Sequence, residues 1–138
     1  MPFPDPRELL PHSGSMALLR EVLEGDETSL TCAATIGGAS PLADPGGAPA
    51  MVALELAAQA AAAHHAGRAS GSGPGGAVEG YLVRARDVRL RVRRLPADRP
   101  LQVEVRLEGS APPLAMYCFT VRAGDEEMAA GRISTWSA

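Results

Sequence analysis

One carboxylate stands in the most apolar stretch of the chain. Glu55 lies in Met51-Val52-Ala53-Leu54-Glu55-Leu56-Ala57-Ala58-Gln59-Ala60, with aliphatic residues on both sides. A carboxylate in such surroundings is costly unless paired, and its pKa tends to rise. Gln59 follows one helical turn later on the same face, within reach of a hydrogen bond. Such a group is either a general acid or base kept usable near neutral pH, or a side chain tolerated at a solvent gap. Three histidines offer further chemistry. His12 follows a proline in Leu9-Leu10-Pro11-His12-Ser13-Gly14-Ser15-Met16, where a histidine is commonly structural or solvated. His64 and His65 close the apolar stretch, and both are expected as surface partners of a helix dipole. Gly46-Gly47 precedes it and either permits a tight turn or presents amides to a carbonyl that gains negative charge. The arginine run from Arg84 to Arg94 is either the solvated face of a strand or a docking site for a phosphate-bearing or acidic partner. No set of His, Cys, Asp and Glu has metal-ligand spacing.

The elements that must position these groups follow from local pattern. Asp5-Pro6-Arg7-Glu8 predicts the start of one short helix, stopped by Pro11. Ala17 to Leu23 is apolar enough for a strand, and Thr28 to Ile36 alternates as a half-buried strand does. Gly37 to Gly47 is a loop rich in Gly, Pro, Ser and Asp. Ala48 to Ala66 contains ten alanines and precedes Gly67, which predicts one long buried helix with Pro49 in its first turn. Arg68 to Gly76 reads as a flexible connector. The remainder reads as strands. Val88, Leu90 and Val92 alternate with arginines, and Leu101 to Glu108 alternates again. Leu114 to Arg122 is apolar on both faces, and Met128 to Trp136 is the last strand. Two strands, one long helix and about four further strands imply an antiparallel α+β layer whose sheet curls around an alanine-rich helix.

Composition narrows the classes. The chain has 138 residues, which suits one domain over 1–138. Its net charge of -3 argues against a general nucleic-acid binder. The N-terminus lacks the basic and apolar regions of a signal peptide, and the apolar run around Glu55 is interrupted by Gln59, His64 and His65. No membrane association is expected, and a cytoplasmic location is the default. Cys32 and Cys118 have no redox or metal spacing and sit in strand-like runs, as buried free thiols do.

Three stretches together carry a resemblance. Leu10-Pro11-His12-Ser13-Gly14-Ser15-Met16-Ala17-Leu18-Leu19 resembles the opening of the 3-hydroxyacyl-ACP dehydratases, "LPHR-x-PMLLLD". Met51 to Ala60 resembles their "E-x-(M/L)-A-Q" helix, and Gly80-Tyr81-Leu82-Val83 with the basic strand resembles the segment that follows. Within that family the chain looks most similar to the aryl-polyene-type branch. The resemblance implies a hot-dog fold and a homodimer or heterodimer with another hot-dog protein. It implies an acyl carrier protein as partner, its phosphopantetheine carrying the substrate, and no separate cofactor. It implies His12 as the base that takes the C2 proton, Glu55 as the acid that protonates the leaving hydroxyl, Gln59 as its companion, and Gly47 as an approximate match for the thioester-holding amide. Two departures stand out. The branch with a "GHFPG" loop has its histidine before the helix, where this chain has Pro41-Leu42-Ala43-Asp44-Pro45-Gly46-Gly47. The "DR" pair of the opening appears as Arg20-Glu21, with charges reversed. Three functions therefore compete. They are a dehydratase, a hot-dog thioesterase that needs no histidine, and a non-catalytic acyl-binding or partner subunit.

Overall fold

The computed structural model describes residues 18–68 and 80–137. His12, the short helix from Asp5 and most of the expected connector lie outside the described residues. The alanine-rich segment forms the single helix among them, α1 (Val52–Arg68), about 25 Å long. It begins four residues later than the composition predicts. Ala48–Pro49 instead forms a two-residue strand, β3, which pairs with β5 (Arg94–Leu95). The helix also runs through Gly67 to Arg68 rather than ending before that glycine.

The described residues also form eight strands. Besides β3 and β5 they are β1 (Leu19–Gly25), β2 (Ser29–Ala34), β4 (Gly80–Leu90), β6 (Leu101–Ala111), β7 (Leu114–Ala123) and β8 (Glu126–Ser137). The six longer ones form one antiparallel sheet in the order β1-β2-β6-β7-β8-β4. The alternation from Val88 to Val92 predicts one continuous strand face; the structure breaks it. β4 carries a bulge between Arg86 and Arg89, and its Asp87 takes a φ of 54°, a left-handed conformation that aspartate tolerates better than most residues. The bulge swings Val88 over Gly131, where an added Cβ would stand 3.0 Å from the Val88 Cα.

One face of the sheet meets the helix. Leu30 and Cys32 of β2, Val103 and Val105 of β6, Tyr117, Phe119 and Val121 of β7, and Ile133 of β8 are buried there. They close on Ala53, Leu56, Ala57, Ala60, Ala61 and Ala63 of α1. Small helix residues let the sheet approach the helix axis, so the core is built from large strand residues against small helix residues. The opposite face carries Gln102, Glu104 and Arg106, all exposed. The two outermost strands of the sheet are β1 and β4, and β4 is exposed along most of its length.

Candidate active site

Glu55 sits one turn into α1 at the margin of its buried stripe, and it is half-buried rather than enclosed. Gln59, one turn on, is only 1% exposed. Among the described residues the Gln59 amide has two partners, one on the helix and one on the segment before β1. Its Nε2 donates to Oε1 of Glu55 at 2.9 Å, and its Oε1 accepts the Leu18 backbone N–H at 3.0 Å. A backbone N–H can only donate, so the orientation of this amide is set by chemistry: oxygen toward Leu18, NH2 toward Glu55. Leu18 belongs to the same opening motif as His12, six residues further along the chain. Gln59 therefore ties the acid on the helix to the end of the segment that carries the histidine. His12 itself lies outside the described residues.

The loop before the helix is shaped by Asp44 and Gly47. Their backbones pair reciprocally at 2.9 Å in both directions. Gly47 has a φ of 103°, and a Cβ there would lie 2.3 Å from the Leu95 carbonyl oxygen, so only glycine fits. Its N–H already donates to the Asp44 carbonyl, and a role in holding a substrate oxygen has to displace that bond. The Asp44 carboxylate accepts from Arg94 at 2.6 Å and from the Gly46 N–H at 2.9 Å, which fixes the loop against β5. The first turn of α1 is closed by bonds from Ala53 to Ala50 and from Leu54 to Met51. The amides of Met51 and Val52 thus precede the first bond of the helix.

His64 departs from expectation. It is fully buried, not a surface partner of the helix dipole. Its ring stands edge-on to Tyr117, with centroids 5.5 Å apart. Nε2 lies 3.0 Å from the Asp26 carbonyl and Nδ1 lies 2.9 Å from the Tyr117 hydroxyl. The carbonyl can only accept, so Nε2 carries the proton and, in the neutral ring, Nδ1 accepts from the tyrosine. His64 lies more than two helical turns beyond Glu55 and joins helix to sheet, a role its apolar neighbours in sequence do not reveal. His65 is half-buried. Of the two free thiols, Cys32 is enclosed and burial pushes it up to about 12. Burial, with help from Glu108, also raises Cys118. Among the described residues no group of His, Cys, Asp and Glu could hold a metal ion, and no helix is long and apolar enough to cross a membrane.

A helix wrapped by this six-stranded antiparallel sheet is the hot-dog fold. The chain belongs to the ApeP-like family, described as ApeP dehydratase, whose model matches residues 4–138. Among solved structures, the chain is similar to the dehydratase heterocomplex ApeI:P from Xenorhabdus doucetiae, at a TM-score of 0.88 and 22% identity, over 99% of this chain and 92% of that one. It is also similar to a hypothetical thioesterase with coenzyme A from Streptococcus pneumoniae, at a TM-score of 0.62 and 8% identity, over 86% and 84%. The PaaI protein from the phenylacetic acid degradation operon of E. coli matches at 0.61 and 11%, over 83% and 80%. No curated protein matches the chain. At these identities the structural likenesses establish the fold, while the family match carries the dehydratase assignment.

Proposed function

We propose that this chain dehydrates 3-hydroxyacyl groups carried as thioesters on an acyl carrier protein, in fatty-acid or polyene biosynthesis. His12 removes a proton from C2 of the acyl chain. The protonated Glu55 carboxyl gives its proton to the C3 hydroxyl, which leaves as water. The C2–H electron pair becomes the new double bond of a trans-2-enoyl thioester, and transfer of the proton from His12 back to Glu55 resets the pair. The thioester oxygen lies at the head of α1, near the Met51 and Val52 amides, with Gly47 contributing when its bond to Asp44 opens. The observation that carries this reading is the Gln59 bridge, because it couples the acid to the end of the histidine-bearing segment. Family membership supports the reaction class.

A second reading has its own support. The loop from Pro41 to Gly47 contains no histidine, and the similar Xenorhabdus structure is a heterocomplex. On this reading the chain joins another hot-dog protein through the open edge of its sheet and supplies little chemistry itself. One experiment separates the two. The purified chain is mixed with a 3-hydroxyacyl thioester of holo acyl carrier protein, and enoyl product is followed by mass. The dehydratase reading expects turnover that falls about 10²–10⁴-fold in both His12→Ala and Glu55→Gln. Turnover unchanged by either substitution rejects those roles. Activity seen only with a second hot-dog chain, and insensitive to both substitutions, establishes the partner subunit. Free carrier thiol without enoyl product establishes a thioesterase.

A further inference from the structure

The segment that leads into α1 is gripped at both ends by the chain around β5. At its start the Asp98 N–H donates to the Ile36 carbonyl at 2.8 Å, and the Gly38 N–H donates to Asp98 Oδ1 at 2.9 Å. A Cβ on Gly38 would lie 2.7 Å from the Asp98 carboxylate, so the two chains run in close contact there. At its end β3 pairs with β5, setting Ala48 opposite Leu95 and Pro49 opposite Arg94. The Ala50 N–H then donates to the Arg93 carbonyl at 3.1 Å. Gly47, Ala48 and Ala50 are buried under this grip.

Between those ends one charged side chain crosses the loop. The Arg94 backbone stands opposite Pro49, yet its guanidinium reaches back to Asp44, with Nη1 at 2.6 Å from Oδ2. The other carboxylate oxygen, Oδ1, accepts the Gly46 N–H at 2.9 Å. Asp44 is therefore divided. One oxygen closes the turn from Asp44 to Gly47, and the other ties the closed turn to β5. Among the described residues no other side-chain hydrogen bond joins the stretch 41–47 to another element. The two side chains are 47% and 45% exposed, and an ion pair so open to water adds little to global stability. What it determines is local: where one turn stands relative to the head of the helix.

In the dehydratase reading that turn borders the reacting groups. Gly47 and the first amides of α1 receive the thioester oxygen, and Glu55 stands one turn further on. The oxygen gains negative charge only as C2 loses its proton, so its donors act in the transition state and have to be in place beforehand. We propose that Arg94 is a positioning residue for this reaction. Through Asp44 it holds the closed turn, and with it Gly47 and the entry to α1, in the geometry the thioester requires. Arg94 itself touches no reacting atom. The inference rests on the dehydratase reading of the site and adds to it a residue outside the motifs that carry His12, Glu55 and Gln59.

The test compares the full chain with Arg94→Met, Arg94→Lys, Asp44→Asn and the double variant Arg94→Met, Asp44→Asn. Arg91→Met is the control, because the ion pair of Arg91 with Glu127 is also exposed but lies off the loop. Each is assayed with a 3-hydroxyacyl thioester of holo acyl carrier protein, and amide hydrogen exchange is read at Gly46, Gly47 and Ala50. Arg94→Met is expected to lower kcat roughly tenfold and to leave KM within about twofold, since a displaced donor weakens the transition state more than the bound substrate. Arg94→Lys is expected to recover most of the rate, because the contact is a single point that an ammonium can replace. Asp44→Asn has one acceptor oxygen for two donors and should match Arg94→Met, with the double variant no slower than either single. Exchange at Gly46 and Gly47 should be at least about threefold faster in Arg94→Met, with Ala50 and the urea midpoint unchanged. Arg91→Met should behave as the parent. A parent-like kcat in Arg94→Met, a loss that Arg94→Lys does not recover, additive losses, or the same loss in Arg91→Met overturns the inference and leaves the dehydratase reading standing. Unchanged exchange at Gly46 and Gly47, or a lowered urea midpoint in Arg94→Met, overturns it as well. A parent that makes no enoyl product rejects the dehydratase reading itself, and the role of Arg94 in it.

Discussion

Both ends of the Gln59 amide are committed, and this makes the residue separable from Glu55 by experiment. Gln59→Leu keeps the volume but removes the donor to Glu55 and leaves the buried Leu18 N–H without its acceptor. An unsatisfied buried group costs about 1–3 kcal/mol, so urea unfolding should show a loss of that order. Turnover should fall as well, because the carboxyl loses the donor that orients it. Gln59→Glu keeps an acceptor for Leu18 and sets a second carboxyl against Glu55. Its activity should persist to higher pH than that of the parent, since two neighbouring carboxylates disfavour joint ionisation and so hold one proton between them. Parent-like stability in Gln59→Leu, or superimposable pH profiles, would remove Gln59 from the site. This pair is legible in the sequence because two polar residues four apart in an apolar helix share one face and can bond each other. Its third member, the Leu18 N–H, is not. A backbone group has no sequence signature, and the contact spans 41 residues. The burial of His64 is equally hidden, because its partners are a carbonyl at Asp26 and a hydroxyl at Tyr117, both distant in the chain.

At the scale of elements, the helix depends on residues too small to attract notice. Ala57 and Ala60 are fully buried against strands that supply Val103, Tyr117 and Phe119. Ala60→Leu changes the intrinsic helix preference by only about a few tenths of a kcal/mol. In the folded chain it inserts three carbons where the sheet already packs against the helix, and should destabilise by about 1–3 kcal/mol. The check is a lowered urea midpoint with the slope unchanged. No loss would mean that the sheet stands off the helix and that the core is not closed as described. The alternation of Leu101, Val103 and Val105 with Gln102 and Glu104 makes β6 readable, and the Pro112-Pro113 turn marks its end. β4 is harder. Its bulge at Asp87 breaks the period of two, so Val88, Leu90 and Val92 alternate like one face of a strand that in fact ends at Leu90. Propensity assigns Ala48–Pro49 to the helix, but pairing with Arg94–Leu95 removes it, a tertiary contact that outweighs alanine's preference.

For the molecule as a whole, the two thiols sit on opposite faces of the sheet and respond to different motions. Cys32 points into the core from β2 and is fully buried; Cys118 lies on the outer face of β7 and is half-buried. Burial pushes the Cys32 thiol up to about 12, so near pH 8 roughly one molecule in 10⁴ holds it as the reactive thiolate, and that one is still enclosed. Reaction at Cys32 therefore requires the sheet to leave the helix, which for one shared core is global unfolding. Its alkylation rate should rise with urea along the full slope of the equilibrium transition. Cys118 should react faster in native buffer and depend weakly on urea, because reaching it needs only side-chain motion on an open face. Mass-resolved labelling with iodoacetamide distinguishes the two sites. Equal native rates would mean that the helix and sheet separate locally without unfolding, in which case the Gln59 bridge could not hold Glu55 in one place for catalysis.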